Sequence, residues 1–398
     1  MQVITASAEA GGFLDRLLFK MLYYLNNMES YSTRQKIIQG LFLSLAALGS
    51  FALGLSLLMY LSTKDAQQSL RASRAQLSVA EATERQLAAL RRFHQGCAVI
   101  ESKNFDNRKR AFVVESSSTG GNPFLLYAYT EIYEHTKEEQ YWQLAKEQAQ
   151  CLESNIQVYV EADEMHKHPW IKEYQGGDKA EAFSWGTYLH ALAYFHRING
   201  SNPSYLKKVA DFLVRLDTNY EDVKRAAQAE ERRVRGLLRY YDLSTQTVYL
   251  ERAEEVLRAI DVPPSRLGSN LPSSPYVMAK YLRTYCELYS RHPHDWLLRR
   301  IEEFTQAVEA FMEFLRTNPD EGLIVLVYYQ MAVAADACWK ATSEERFMHL
   351  LRETLTKEIA NISVESGIIE KGERITLSLN AEITRLLVKY GSKLISNP

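Results

Sequence analysis

A chain of 398 residues, 46% hydrophobic and 24% charged, has enough apolar material for one large core or two ordinary ones. A formal net charge of -2, with no Lys/Arg block interleaved with aromatics, excludes nucleic acid as a partner. Cys97, Cys151, Cys286 and Cys338 stand far apart with no C-x-x-C spacing, so metal and redox motifs are absent and no cofactor is expected. Buried thiols acting as small hydrophobes are the expectation, with one or two disulfides left open for an exported domain.

Residues 1–36 form an N-terminal tail in which Phe13, Leu14, Leu17, Leu18, Met21, Leu22 and Leu25 follow the spacing of an amphipathic helix. From Ile37 to Leu61 there is no charge, and twenty-five residues at about 1.5 Å each exceed the roughly 30 Å hydrocarbon core of a bilayer. This predicts a transmembrane helix whose partner is membrane lipid. Arg34 and Lys36 lie closest to it, which favours a cytoplasmic N-terminus and an extracytoplasmic C-terminal domain. Residues 62–110 read as a stalk helix and linker. Leu70, Leu77, Val79, Leu87 and Leu90 form a narrow apolar stripe on it, suited to a short coiled coil, to protein partners or self-association, or to an outer helix of the next domain.

Residues 111–398 carry a repeating pattern. A helix ends in an aromatic (Tyr133, Phe195, Tyr241, Tyr289, Trp339), a short polar turn follows, and the next helix opens with Tyr141-Trp142, Tyr205-Leu206, Tyr249-Leu250, Trp296-Leu297 or Phe347-Met348. The interval between openers varies too much for a tetratricopeptide solenoid, so the pattern predicts helical hairpins joined by longer loops. The expected fold is all-α: a transmembrane helix, a stalk helix and an α/α toroid-like array of five to six hairpins. A sixth pair would join the segment Leu379 to Lys393 to the helix before Cys97, and Ser363 to Leu377 reads as a small β-hairpin.

In a toroid the axis is lined by the N-terminal ends of the inner helices and the loops leading into them. The longest such loop, Val158 to Ala182, holds Glu161, Asp163, Glu164 and Glu173 as candidate catalytic acids and bases. Trp170, Tyr174, Trp185 and Tyr188 are the candidate substrate-binding aromatics, since sugar faces stack on such rings. Trp185 and Tyr188 share a helix face from which His190 is turned away. His166 and His168 lack a third ligand, so no metal is expected. Asn122, Arg235, Tyr276, Glu321 and Glu382 mark other inner-helix starts.

The stretch NPFLLYAYTEIYEHTKEEQYWQLAKE, then HPWIKEYQGG and AFSWGTYLHALAYFHRINGSNPSYL, resembles the C-terminal helical domain of glucuronyl C5-epimerases over roughly residues 120–213. The resemblance implies an α/α toroid and a saccharide ligand; that family abstracts and returns the C5 proton of uronic acid units. Two functions are expected. The first is a membrane-anchored helical interaction protein of the cell envelope, in polysaccharide or secretion assembly. The alternative is a carbohydrate-active enzyme (epimerase, lyase or glycosidase-like) working in the toroid cavity on polysaccharide.

Overall fold

The computed structural model describes residues 78–95, 98–106, 111–118, 122–168, 178–217, 223–266, 274–317, 324–362, 367, 369 and 377–395. All of them belong to one compact unit, Gln76–Pro398. The amphipathic tail and the segment Ile37–Leu61 lie outside the described residues. Among the residues described, no helix is long and apolar enough to cross a membrane.

Twelve α-helices are described: α1 Val79–Phe93, α2 Pro123–Thr136, α3 Glu139–Glu161, α4 Asp178–Asn199, α5 Ser204–Arg215, α6 Val223–Ser244, α7 Thr247–Ala259, α8 Ser274–Tyr289, α9 Asp295–Thr317, α10 Ile324–Thr342, α11 Glu345–Ala360 and α12 Leu377–Ile395. The even-numbered helices each touch the next, and α12 touches α2, so six inner helices close a ring. The odd-numbered helices pack outside them. This is a six-paired α/α toroid.

All five expected hairpins are present. Each helix-end aromatic closes an inner helix and each opening pair starts the following outer one. Trp142 stacks on Tyr133 at 4.9 Å and on Phe195 at 5.0 Å, which shows why both positions are aromatic: they zip neighbouring pairs together at the turns. The sixth pair is α12 with α1. Gln86 Nε2 donates to Asn380 Oδ1 at 3.1 Å, and the Thr384 hydroxyl donates to Gln86 Oε1 at 2.8 Å, all three groups being buried. A Cβ added to Gly391 would lie 3.3 Å from Val79 Cγ1, so the end of α12 adjoins the start of α1.

The described part of the stalk, α1, is therefore an outer helix of the ring rather than a projecting rod. Ala82, Gln86, Ala89 and Leu90 are buried in the ring; of the stripe offered for a coiled coil, Leu90 is buried, Val79 and Leu87 pack half-buried against the core, and Leu70 and Leu77 lie outside the described residues. A capping box between Ser78 and Glu81 fixes its start.

A three-stranded sheet also stands between the first two helices, while most of the hairpin expected at Ser363 to Leu377 lies outside the described residues. After α1 come β1 His94–Gln95, β2 Ala98–Asp106 and β3 Ala111–Ser118, paired antiparallel in that order. Asp106 faces Ala111, Val99 faces Ser118, and the register shifts around Ser102. Near the C-terminus the described residues retain an antiparallel bridge, Ile362 to Ile369. Asn380 holds it, accepting from the Ile369 N–H at 2.8 Å and donating to its carbonyl at 3.2 Å.

The inner ring is closest where α4 crosses α6. A Cβ on Gly186 would lie 2.5 Å from the Arg232 carbonyl carbon, and one on Gly236 would lie 2.7 Å from the Gly186 carbonyl oxygen. Two facing glycines let the backbones touch. Farther round, Cys286 of α8 and Cys338 of α10 form a disulfide with Cα atoms 4.9 Å apart, and Cys151 is also disulfide-bonded. The expectation of buried thiols is corrected accordingly: the inner faces of α8 and α10 pack directly, bringing Cβ atoms within bonding reach.

Candidate functional site

The axis of the ring is occupied by charge. From α6, Glu231, Arg235 and Arg239 recur every four residues and share one helix face. Arg235 donates to Glu231 at 3.0 Å and to both oxygens of Glu287 at 3.2 Å. Arg283 donates to Glu287 at 3.0 Å and lies 3.7 Å from Glu382. Arg385 of α12 then bonds Glu382, Glu131 at 2.6 Å and Asp336 at 3.3 Å. Burial would raise the Glu287 carboxyl, but Arg235 and Arg283 outweigh it and hold it well below the carboxylate range. His190 stands in the column too, its Nε2 3.1 Å from an Arg235 nitrogen; burial and then the Arg235 charge push it far down, so it is neutral.

The column has two ends. All inner helices run the same way, so their C-termini and the short turns share one end. There Tyr127, Glu131, Tyr194, Arg239, Lys340 and Lys389 line a cavity of about 360 Å³. Its charges are matched to one another: Lys340 reaches Asp336 at 3.0 Å and Glu131 at 3.2 Å, Lys389 reaches Asp336 at 3.0 Å, and the Tyr194 hydroxyl donates to Glu134. Cations suit this end, where the helix dipoles are negative.

At the opposite end, where the inner helices begin, the matching is incomplete. Arg232 lies between two aromatic faces, its guanidinium carbon 5.2 Å from the Phe124 ring and 5.8 Å from that of Phe183. Lys280 lies 4.7 Å over Tyr276. Glu231 Oε2 is 3.5 Å from Arg232 Nε and 3.9 Å from Lys280 Nζ, too far for hydrogen bonds. Glu231 Oε2 and Arg232 Nε are both buried without a hydrogen-bond partner among the described residues. Burial favours the neutral acid, yet Arg232, Arg235, Lys280 and Arg283 together bring the Glu231 carboxyl down to about 2. An ionised acceptor and a cationic donor, both desolvated and unsatisfied, sit beside three partly exposed rings at the positive ends of the inner helices.

The sequence-predicted residues fall elsewhere. Glu161 and Asp163 are exposed at the end of α3, and Glu164 pairs with Lys167 at 2.5 Å. Trp170, Glu173, Tyr174 and Glu321 lie outside the described residues. Trp185 and Tyr188 are fully buried between the layers, with Trp185 Nε1 donating to the Met165 carbonyl at 3.2 Å and both rings edge-on to His168. The two faces of α4 were separated correctly, but it is His190 that meets the axis. His166 is exposed while His168 is buried, so the two do not form a pair. Of the other helix starts, Asn122 caps α2 through bonds to the Phe124 and Leu125 N–H groups, and Arg235, Tyr276 and Glu382 do face the axis region. Arg232, Glu231 and Lys280 were missed. The available signal was charge recurring on helices whose position in the ring should have made them apolar.

No family model matches the chain. No curated protein matches it either. Among solved structures, an unsaturated glucuronyl hydrolase from Streptococcus agalactiae superposes with a TM-score of 0.50 at 11% identity, covering 78% of this chain and 91% of that one. An alpha-1,6-mannanase of Salegentibacter gives 0.48 at 12% identity, covering 79% and 99%. A D-mannose isomerase gives 0.47 at 12% identity, covering 79% and 97%. The hydrolase likeness establishes the toroid fold. The first functional expectation is corrected: the chain shares the fold of this hydrolase, and the described part of the helix meant to dock envelope partners, Val79–Phe93, is an outer helix of the ring. The reading as a membrane-anchored interaction protein of the cell envelope is set aside.

Proposed function

We propose that the chain is a carbohydrate-active protein that takes an acidic sugar unit at the end of the axis where the inner helices begin. The observation that carries this reading is the unsatisfied pair Glu231 Oε2 and Arg232 Nε beside Phe124, Phe183 and Tyr276. A uronate supplies what the pair lacks: its carboxylate accepts from Arg232 and Lys280, a hydroxyl donates to Glu231, and its apolar face lies on an aromatic ring.

The chemistry that fits is proton transfer next to the sugar carboxylate. Glu231 is ionised and so acts as a base; a hydrolytic acid would need a carboxyl held protonated, and Glu231, Glu287 and Glu382 are all held down. Arrival of the substrate carboxylate offsets the Arg232 and Lys280 charges that depress Glu231, raising its basicity when it is needed. The C5–H bond breaks, the proton passes to Glu231, and the electron pair spreads into the sugar carboxylate beside the two cations. The disulfides support an oxidising, extracytoplasmic setting for the domain.

Calorimetric titration with uronate oligosaccharides and neutral oligosaccharides of equal length tests the binding. Only the uronates should bind, and Arg232→Met should weaken them at least ~10-fold, as expected for a lost charge-assisted pair. In D2O, C5 deuteration followed by NMR should vanish in Glu231→Gln while binding persists. Equal affinity for neutral chains, or none for either, would sink the proposal.

A further inference from the structure

We propose a transition-metal site on the rim of the ring, formed by Glu254 of α7 with His292 and His294 in the turn between α8 and α9. His292 Nδ1 lies 3.0 Å and His294 Nε2 3.9 Å from Glu254 Oε2, and the three ligand atoms fall within 4.8 Å of one another. Tetrahedral zinc with ligands at 2.0–2.2 Å puts ligand atoms roughly 3.3–3.6 Å apart, so the group needs shifts of a few tenths of an ångström to a little over one. The second histidine is informative. A hydrogen bond to Glu254 accounts for His292, whereas His294 is held at non-bonding distance from the same oxygen with its ring centroid 4.1 Å from that of His292.

The other carboxylate oxygen is already engaged. Glu254 Oε1 accepts from Arg258 at 2.7 and 2.9 Å and from Trp296 Nε1 at 3.2 Å, and the Arg258 guanidinium lies 4.0 Å from the Trp296 ring. These contacts orient the carboxylate and turn Oε2 to the histidines, the role outer partners play at metal centres. Pro293 between the histidines restricts the turn. Two imidazoles and one carboxylate select zinc, cobalt or nickel over magnesium or calcium. Side-chain exposure of 42% and 43% at the histidines leaves the fourth position to water. The nearby Arg258 charge lowers the affinity below that of a closed site. The bound ion would clip the α8–α9 turn to α7, at the end of the ring away from Glu231.

The test is titration of the tag-free protein with zinc chloride, and with cobalt chloride followed by its visible bands. One saturable equivalent is expected, weakened at least ~10-fold by His294→Gln and by Glu254→Gln with unchanged far-ultraviolet circular dichroism. Saturating zinc should raise the melting temperature by ~3 °C or more in the native protein and not in His294→Gln. Absence of a saturable equivalent, or affinity indifferent to His294→Gln, overturns the assignment.

Discussion

Arg385 shows how the axis is held at the level of one side chain. It serves Glu131, Glu382 and Asp336 at once and is 2% exposed, so its removal strands buried carboxylates rather than merely deleting bonds. Arg385→Met should cost about 3–5 kcal/mol in urea unfolding, the usual cost of breaking a buried pair; a loss under ~1 kcal/mol would mean the network relaxes. His168 makes a pH prediction. Burial among Tyr159, Trp185 and Tyr188 lowers it to about 4, below its unfolded value of about 6.5. Between those values the unfolded chain binds the extra proton, so stability falls as pH drops from 6.5 towards 4. Going from pH 7 to 5 this histidine should cost on the order of 2 kcal/mol, a cost that His168→Phe removes; an unchanged slope in urea titrations would refute it. Residue roles were hard to read from sequence for one physical reason. Trp185 looks like a ligand platform and Arg232 like a surface charge, yet the ring places the tryptophan between its layers and the arginine at its centre.

Helix crossings set the next scale. Gly186 and Gly236 let α4 and α6 touch, and any Cβ at Gly186 meets backbone, which cannot swing aside. Gly186→Ala should cost about 2–3 kcal/mol by overpacking, while Gly391→Ala, whose Cβ would meet a Val79 methyl at 3.3 Å rather than backbone, should stay within ~1 kcal/mol because the helix gains from losing a glycine. Comparable melting points for the two variants would show the crossing to be slack. The hairpins were legible because their signal is local: an aromatic at one helix end must meet an aromatic at the next start. The sheet was not. Ala98–Asp106 and Ala111–Ser118 carry the β-branched residues Val99, Ile100, Val113 and Val114, but the polar run between them reads as linker. Helix α6 was equally opaque, since VKRAAQAEERRVRGLLRYYDLS has the look of a solvated helix and Glu230 through Leu238 are almost all buried.

For the molecule as a whole, closure decides what can be cut and joined. The sixth pair brings helices almost three hundred residues apart into one hydrogen-bonded contact, with the last turn of α12 beside the first turn of α1. A toroid closed in this way has no preferred point of entry for the chain. A circular permutant follows: residue 395 tied to residue 78 by a short glycine-serine linker, with new ends opened between Gly200 and Pro203, an exposed turn between α4 and α5. It should fold to the same helical content and melt cooperatively within a few degrees of the parent. A permutant that aggregates or melts in two steps would mean that the order of synthesis, and not ring geometry alone, guides α1 and α12 together.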